Sequence, residues 1–261
     1  MSKSVITKLK KIKGLKVARN FVKTWSKPKN FGYCPVCHSK TIFVEKHPWL
    51  REHYSCIICG STPRQSGLVM ALNQYYPNWR NMMMHESSPG TMAASWFIEK
   101  ESKNYSASHF FPEVKLGEFK DGFRCENLSR MTFDDESFEL FITQDVFEHV
   151  MEPMEAFSEI GRVLKPGGAH IFTLGWSPKN GESKPRSIIK NGEVVHLKPP
   201  EYHGNPIDEK GSLVTWDWGP DIVHHIYKQS GMITTICNTK NRKLGLDGET
   251  IEVFISQKIR I

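Results

Sequence analysis

Residues 138–174 read FELFITQDVFEHVMEPMEAFSEIGRVLKPGGAHIFTL. Glu139–Thr143 (ELFIT) is a short apolar run of the kind that forms a strand buried on both faces. From 153 to 164 the spacing changes, and Phe157, Ile160, Val163 and Leu164 fall on one face of a helix. Lys165-Pro166-Gly167-Gly168 predicts a sharp stop and turn. Ala169–Leu174 (AHIFTL) is then a second buried strand. Strand, helix and strand in that order make a parallel crossover, so the chain belongs to the α/β class.

The alternation continues in both directions. Upstream, residues 63–77 predict a connecting helix, clearest from Gly67 to Tyr76, with Leu68, Ala71 and Leu72 apolar. Met82–Met84 predicts a short strand that Ser88-Pro89-Gly90 breaks, followed by a helix over Thr91–Lys100 and a weak strand near Tyr105. Downstream, residues 175–215 are rich in Gly, Pro and polar residues and read as an inserted cap. Pro220–Ser230 predicts a helix closed by Gly231. Met232–Cys237 and Glu252–Ser256 predict two last strands joined by a long polar loop. A chain of 261 residues, 39% hydrophobic, has room for one full α/β domain and a small module, expected here over 63–261 and 31–62.

Cys34-Pro-Val-Cys37 and Cys56-Ile-Ile-Cys59 form that module. A tetrahedral Zn²⁺ takes four thiolates, and each CxxC turn delivers two from one tight knuckle. Gly60 suits the turn after the second pair, where backbone amides point at sulfur. A redox dithiol needs one CxxC at the start of a helix rather than two pairs. With all four places filled, the zinc is structural. The two remaining cysteines, Cys125 and Cys237, read as core thiols, and His38 as a neighbour of the site.

The net charge of +7 is uneven. Residues 1–30 hold nine Lys, one Arg and no acid, which leaves −3 for the rest of the chain. Residues 3–25 read as a basic amphipathic helix, with Val5, Leu9, Ile12, Ala18, Val22 and Trp25 on its stripe and Pro28 as its stop. Three uses of this arm stay open: docking on the body, anchoring on an anionic membrane, and gripping nucleic acid. No run of 18 apolar residues spans a membrane, no secretory signal is expected, and paired CxxC motifs fit a reducing compartment. A cytoplasmic protein follows, with peripheral membrane attachment as the alternative.

From residue 126 to 173 the chain resembles the type-11 family of class I methyltransferases. The shared pieces are Glu126-Asn127-Leu128, Met131-Thr132-Phe133, Phe138-Glu139-Leu140, Glu148-His149 and Arg162-Val163-Leu164-Lys165-Pro166-Gly167-Gly168. The resemblance implies a Rossmann-like sheet with helices on both faces and S-adenosyl-L-methionine as cofactor. It places cofactor contacts at Glu86, Ser88, Pro89 and Gly90, at Ser108, at Glu126, Asn127 and Leu128, and at Gln144. Two features depart from the family. His85-Glu86-Ser87-Ser88-Pro89-Gly90 keeps the acid but only one glycine, and Ser106-Ala107-Ser108-His109 ends the second strand without an acid for the ribose. A narrower resemblance runs to methyltransferases of surface-polysaccharide and glycosyl-transfer systems, through Glu86-Ser87-Ser88-Pro89 and Tyr202-His203-Gly204-Asn205-Pro206.

A sulfonium methyl is already activated, so the enzyme aligns it and removes a proton from the acceptor. Asp145, Glu148 and His149, past the fourth strand, and His203, in the cap, are the candidates. If Asp145 starts a helical turn, the three form D-x-x-E-H on one face. That pattern is similar to the E-x-x-E-H of small-RNA and ubiquinone-pathway O-methyltransferases, which implies Mg²⁺ or Mn²⁺ as an alternative to a base. Plainer roles stay open: His149 satisfying a backbone carbonyl, Glu148 capping, and Trp176, Trp216 and Trp218 packing rather than stacking on sugar. The expected function is methyl transfer to a hydroxyl of a sugar, glycan or other small molecule. An RNA methyltransferase and a non-enzymatic zinc-bearing interaction protein are the alternatives.

Overall fold

The computed structural model describes residues 26–205 and 209–260. The predicted basic helix, residues 3–25, lies outside the described residues.

The cysteine module comes first. Strands β1 (Lys29–Cys34) and β2 (Ser39–Glu45) pair antiparallel around the first CxxC, and β3 (Tyr54–Cys56) adds to β2. A single helical turn, α1 (Leu50–His53), bridges β2 and β3. Helix α2 (Pro63–Tyr75) begins after Thr62, whose backbone amide donates to the Gln65 side chain at 3.1 Å, and Pro63 supplies the first helical residue. The module shares a core with the main sheet: Phe43 and Tyr54 pack in one cluster with Leu68, Met84, Leu140 and Val253.

Among the described residues the main sheet has eight strands. In chain order they are β4 (Met83–Ser87), β5 (Asn104–His109), β6 (Phe119–Lys120), β7 (Phe123–Cys125), β8 (Phe138–Gln144), β9 (Leu164–Thr173) and, after the cap, β16 (Ile233–Cys237) and β17 (Val253–Gln257). Their spatial order is β16-β17-β9-β8-β4-β5-β7-β6. The five strands from β9 to β7 run parallel, and β6, β17 and β16 join antiparallel. Side chains alternate across the sheet. Leu140 and Ile142 face the core under α2 and α3 (Ala93–Glu101), whereas Phe141 and Phe172 face the core under α4 (Pro153–Val163) and α5 (Ile222–Ser230). This is the predicted α/β architecture, with helices packed on both faces of the sheet. Chain order reverses between β4 and β8, so ligands are expected at the carboxyl ends of those two strands.

Two local expectations change. The predicted turn at Lys165–Gly168 is the first part of β9, where a register shift lies opposite Phe138–Leu140 and Gly167 sits at φ 82°. Between the pairs Phe138–Leu164 and Leu140–Ala169, β9 carries three residues more than β8, and the bulge includes Gly167 in a left-handed conformation that glycine adopts without strain. The first strand also runs past Met84 to Ser87, because its polar residues are satisfied inside: the His85 ring lies between the hydroxyls of Ser106 and Ser108, 2.9 Å from each. Of the two spare cysteines, Cys125 is fully buried and Cys237 half-buried.

Among the described residues the predicted cap is three antiparallel ribbons: β10 (Lys184–Pro185) with β15 (Trp216–Asp217), β11 (Ser187–Lys190) with β12 (Glu193–His196), and β13 (Tyr202–His203) with β14 (Ser212–Leu213).

Candidate active site

A cleft of about 1570 Å³ opens at the carboxyl ends of β4 and β8. The strand ends form its floor, the cap its roof, and the cysteine module one wall. On the β4–β5 side it is lined by Ser88, Gly90, Phe110, Asn127, Leu128 and Gln144.

Glu86 is not on the cleft surface; it lies directly beneath it, fully buried. One carboxylate oxygen accepts from the Ser95 hydroxyl at 2.7 Å and the Gln144 amide at 2.8 Å, and the other from Tyr105 at 2.9 Å. Ser95 Oγ also accepts from the Gly90 amide at 3.0 Å. The acid of the first motif therefore anchors the Gly90 loop from below and does not line the cleft. Burial pushes its carboxyl up. With its amide nitrogen turned to Glu86, Gln144 leaves Oε1 buried without a hydrogen-bond partner among the described residues. Such an orphan acceptor is costly unless a ligand supplies a donor.

Three other predicted cofactor residues are placed differently from expectation. Ser108 gives its hydroxyl to His85 within the sheet, and Pro89 is buried away from the cleft. Glu126 reaches the cleft edge, but both its oxygens are engaged, by Arg124 and by Thr132. Phe110, just past β5, presents a half-exposed ring to the cleft.

The opposite side gathers the predicted catalytic residues. Ligand atoms of Glu148, His149 and His203 lie within 4.8 Å of one another. A single 3₁₀ turn, Phe147–His149, carries the first two. His149 Nδ1 lies 2.9 Å from the Leu213 carbonyl oxygen. A carbonyl only accepts, so Nδ1 carries the proton and Nε2 keeps its lone pair. Burial holds the imidazole below its ordinary range, which keeps it neutral near pH 7. The expected backbone contact of His149 is thus present, and it fixes the tautomer a base needs. His203, from the cap, meets His149 edge to face with ring centroids 5.2 Å apart, and its Nε2 lies 3.2 Å from Glu201. Glu148 accepts from the Gly175 amide at 2.9 Å, while its Oε2 is buried without a partner among the described residues. Burial and the neighbouring Asp145 charge push its carboxyl up to about 8. A Cβ on Gly175 would lie 3.0 Å from Glu148 Oε1, so any larger residue would press on that carboxylate.

Asp145 does not join this group. Its φ of 52° takes it out of the helical turn that the D-x-x-E-H reading assumed. Arg51 holds it from both guanidinium nitrogens at 2.7 and 2.8 Å, Arg64 lies 2.9 Å away, and Thr173 donates at 2.9 Å. Although burial opposes ionisation, Arg64 and Arg51 keep the carboxyl well below the usual range. Of the three tryptophans, Trp218 is buried core, Trp216 stacks on it at 5.0 Å and faces the cleft, and Trp176 also faces the cleft. Arg51, Arg64, Trp49, Ser95, Tyr105 and Phe110 went unmarked in the sequence, where each is a single residue with no patterned neighbour.

The four cysteines converge apart from the cleft, all as free thiols, with Sγ atoms 3.7 Å apart for Cys34–Cys59 and 3.9 Å for Cys37–Cys56. A tetrahedron with zinc–sulfur bonds near 2.3 Å has edges of about 3.8 Å, so the donor set fits zinc. Hydroxyls of Ser61 and Thr41 lie 3.2–3.3 Å from these sulfurs, where they support thiolates.

Residues 99–172 match the profile of the type-11 methyltransferase domain. The match spans Asn127, Gln144 and the Glu148-His149 pair, and begins past the first motif. No curated protein matches the chain. Among solved structures, an S-adenosylmethionine-dependent methyltransferase from Mesorhizobium loti is 12% identical, with 74% of this chain and 97% of that chain covered and a TM-score of 0.48. An amino pentose methyltransferase from Micromonospora echinaspora, solved with S-adenosylmethionine bound, is 11% identical over 76% of this chain and 92% of its own, with a TM-score of 0.49. One from Methanosarcina mazei is 15% identical over 72% and 98%, with a TM-score of 0.42. The domain match supports an enzyme and S-adenosylmethionine-dependent methyl transfer.

Proposed function

We propose that this chain methylates a hydroxyl of a sugar, glycan or other small polar molecule, with His149 as the base. The observation that carries this reading is the His149–Leu213 hydrogen bond, which presents an unprotonated Nε2 to the cleft. Ser88, Gly90, Asn127 and Gln144 would hold S-adenosylmethionine on the other side, and Phe110 would offer a flat face to it. Bound there, that cofactor supplies a methyl group already activated as a sulfonium. The chain's own work is to orient the acceptor hydroxyl, exclude water and take the proton on Nε2. Trp176 and Trp216, on the same wall, suit the apolar faces of a sugar ring. The cysteine site is read as structural zinc, since four thiolates leave no open position.

One observation favours a second reading. Glu148, His149 and His203 make a carboxylate-and-imidazole set suited to a divalent cation, and two imidazoles favour Mn²⁺ over Mg²⁺. Such an ion would lower the pKa of the acceptor hydroxyl.

The test is turnover per folded molecule. His149→Ala is expected to lower it by about 10²- to 10⁴-fold, with S-adenosylhomocysteine affinity by calorimetry barely changed. Normal turnover in that variant ends the role of His149. Loss of activity on chelation, restored by Mn²⁺, selects the second reading.

A further inference from the structure

The turn α1 lies between the two cysteine pairs, yet its arginine points into the transfer site. Arg51 Nε donates to the Thr250 carbonyl at 2.8 Å. One terminal nitrogen donates to Glu52 at 2.6 Å and to Asp145 Oδ2 at 2.7 Å. The other donates to Asp145 Oδ1 at 2.8 Å and to the Leu174 carbonyl at 3.1 Å. All five donors of the guanidinium are used, in a side chain only 6% exposed. Arg64, on α2, closes the network by reaching Glu52 and Asp145 at 2.6 and 2.9 Å.

The partners of Arg51 are two strand ends. Asp145 follows β8 and leads into the turn that carries Glu148 and His149. Leu174 follows β9 and precedes Gly175, whose amide holds Glu148. A planar fork with every donor matched fixes direction as well as distance. A zinc knuckle has no need of this: its ligands and their supporting hydroxyls lie within residues 34–61. The arginine crosses 94 residues of sequence to reach Asp145.

We propose that the cysteine module is a working part of the transfer site, with Arg51 as the positioning residue that holds the Asp145–His149 segment and the Leu174–Gly175 strand end together. The proposal rests on the reading of Glu148 and His149 as transfer residues. Because α1 runs directly into β3, which ends at Cys56, the metal state of the cysteines reaches the cleft through this side chain.

The experiment uses the zinc-loaded full chain and reads backbone hydrogen exchange, zinc content and S-adenosylhomocysteine affinity. Arg51→Met is expected to raise exchange over residues 145–150 and 174–176 by about tenfold or more. Zinc content should hold, and affinity for S-adenosylhomocysteine should stay within about twofold. Arg51→Lys should recover part of the protection, since it keeps the charge and loses the fork. Asp145→Asn, which changes no residue of the module, should reproduce the Arg51→Met pattern, and stripping the zinc with a chelator should raise exchange over the same two segments as well as in the module. Unchanged exchange in Arg51→Met overturns the proposal. So does protection at 145–150 that survives zinc removal, or loss of zinc and of protection throughout the chain in both Arg51 variants. Failure of the methyl-transfer reading appears separately, as wild-type protein that does not bind S-adenosylhomocysteine.

Discussion

Gly90 tests the cofactor wall one residue at a time. A Cβ placed there would meet only Ser95 Oγ, at 3.8 Å, so the fold itself has room for a side chain. Gly90→Val should therefore leave stability nearly unchanged and, by projecting into the cleft, weaken S-adenosylhomocysteine binding by about tenfold or more. Calorimetry on the folded variant checks this, and unchanged affinity removes Gly90 from the site. The sequence made Gly90, Asn127, Gln144, Glu148, His149 and His203 legible because each sits at a motif position, and the cleft brings all six to its lining. It misplaced Glu86 and Asp145 because an acid in a motif looks the same whether its charge meets a ligand or an internal partner. The partners that decide between those two outcomes, Ser95, Tyr105, Arg51 and Arg64, lie 9 to 94 residues away.

At the scale of elements, the cysteine module is three short strands and one helical turn, too small to fold without a staple. Elemental analysis should find one zinc per chain. Cys56→Ser should release it and expose the module to proteolysis, because metal binding and folding are one event in such a segment. A well-folded module with no metal would refute this. The helices α4 and α5 were readable in outline, as 153–164 and 220–230, because each has a clear apolar face and a stop signal. The start of β9 was not, because Lys-Pro-Gly-Gly is turn chemistry wherever it occurs. Only the pairing of β9 with β8 turns it into a bulged strand.

Two expectations concern the whole molecule. His170 is fully buried, 2.9 Å from Thr143 and stacked on Phe172, and burial holds its ring at a pKa of about 3. His85 is held at about 3 by burial and by the charge of Arg124. Folded-state values below the unfolded one near 6.5 mean that the unfolded chain takes up protons the native state refuses. Stability is therefore intact above about pH 6.5 and lost as pH falls toward 3. Urea unfolding across that window should show the slope, and His170→Phe should make it shallower by about 1.4 kcal/mol per pH unit. An unchanged slope would mean that His170 is already charged in the fold. The second expectation belongs to the charge distribution, +10 on residues 1–30 against −3 on the rest. Among the described residues no helix is long and apolar enough to cross a membrane. Deleting residues 1–28 should leave the described fold intact and reduce binding to anionic vesicles, with an effect that fades as salt rises. Full-length protein that ignores such vesicles at low salt refutes the anchor, and salt-dependent RNA binding in its place favours the RNA reading.

The shared core also sets an order of events during synthesis. The module leaves the ribosome early, but part of its cover comes from the far end of the chain. Tyr54 donates to the carbonyl of Arg242, 188 residues later, and Arg51 waits for Thr250. At 5–20 residues per second, roughly 10–40 s separate the first contact partner from the second. For that interval the four thiols stand without their final packing, open to an arriving ion or to an oxidant. On the zinc reading, loading of the cysteines would precede closure of the cleft.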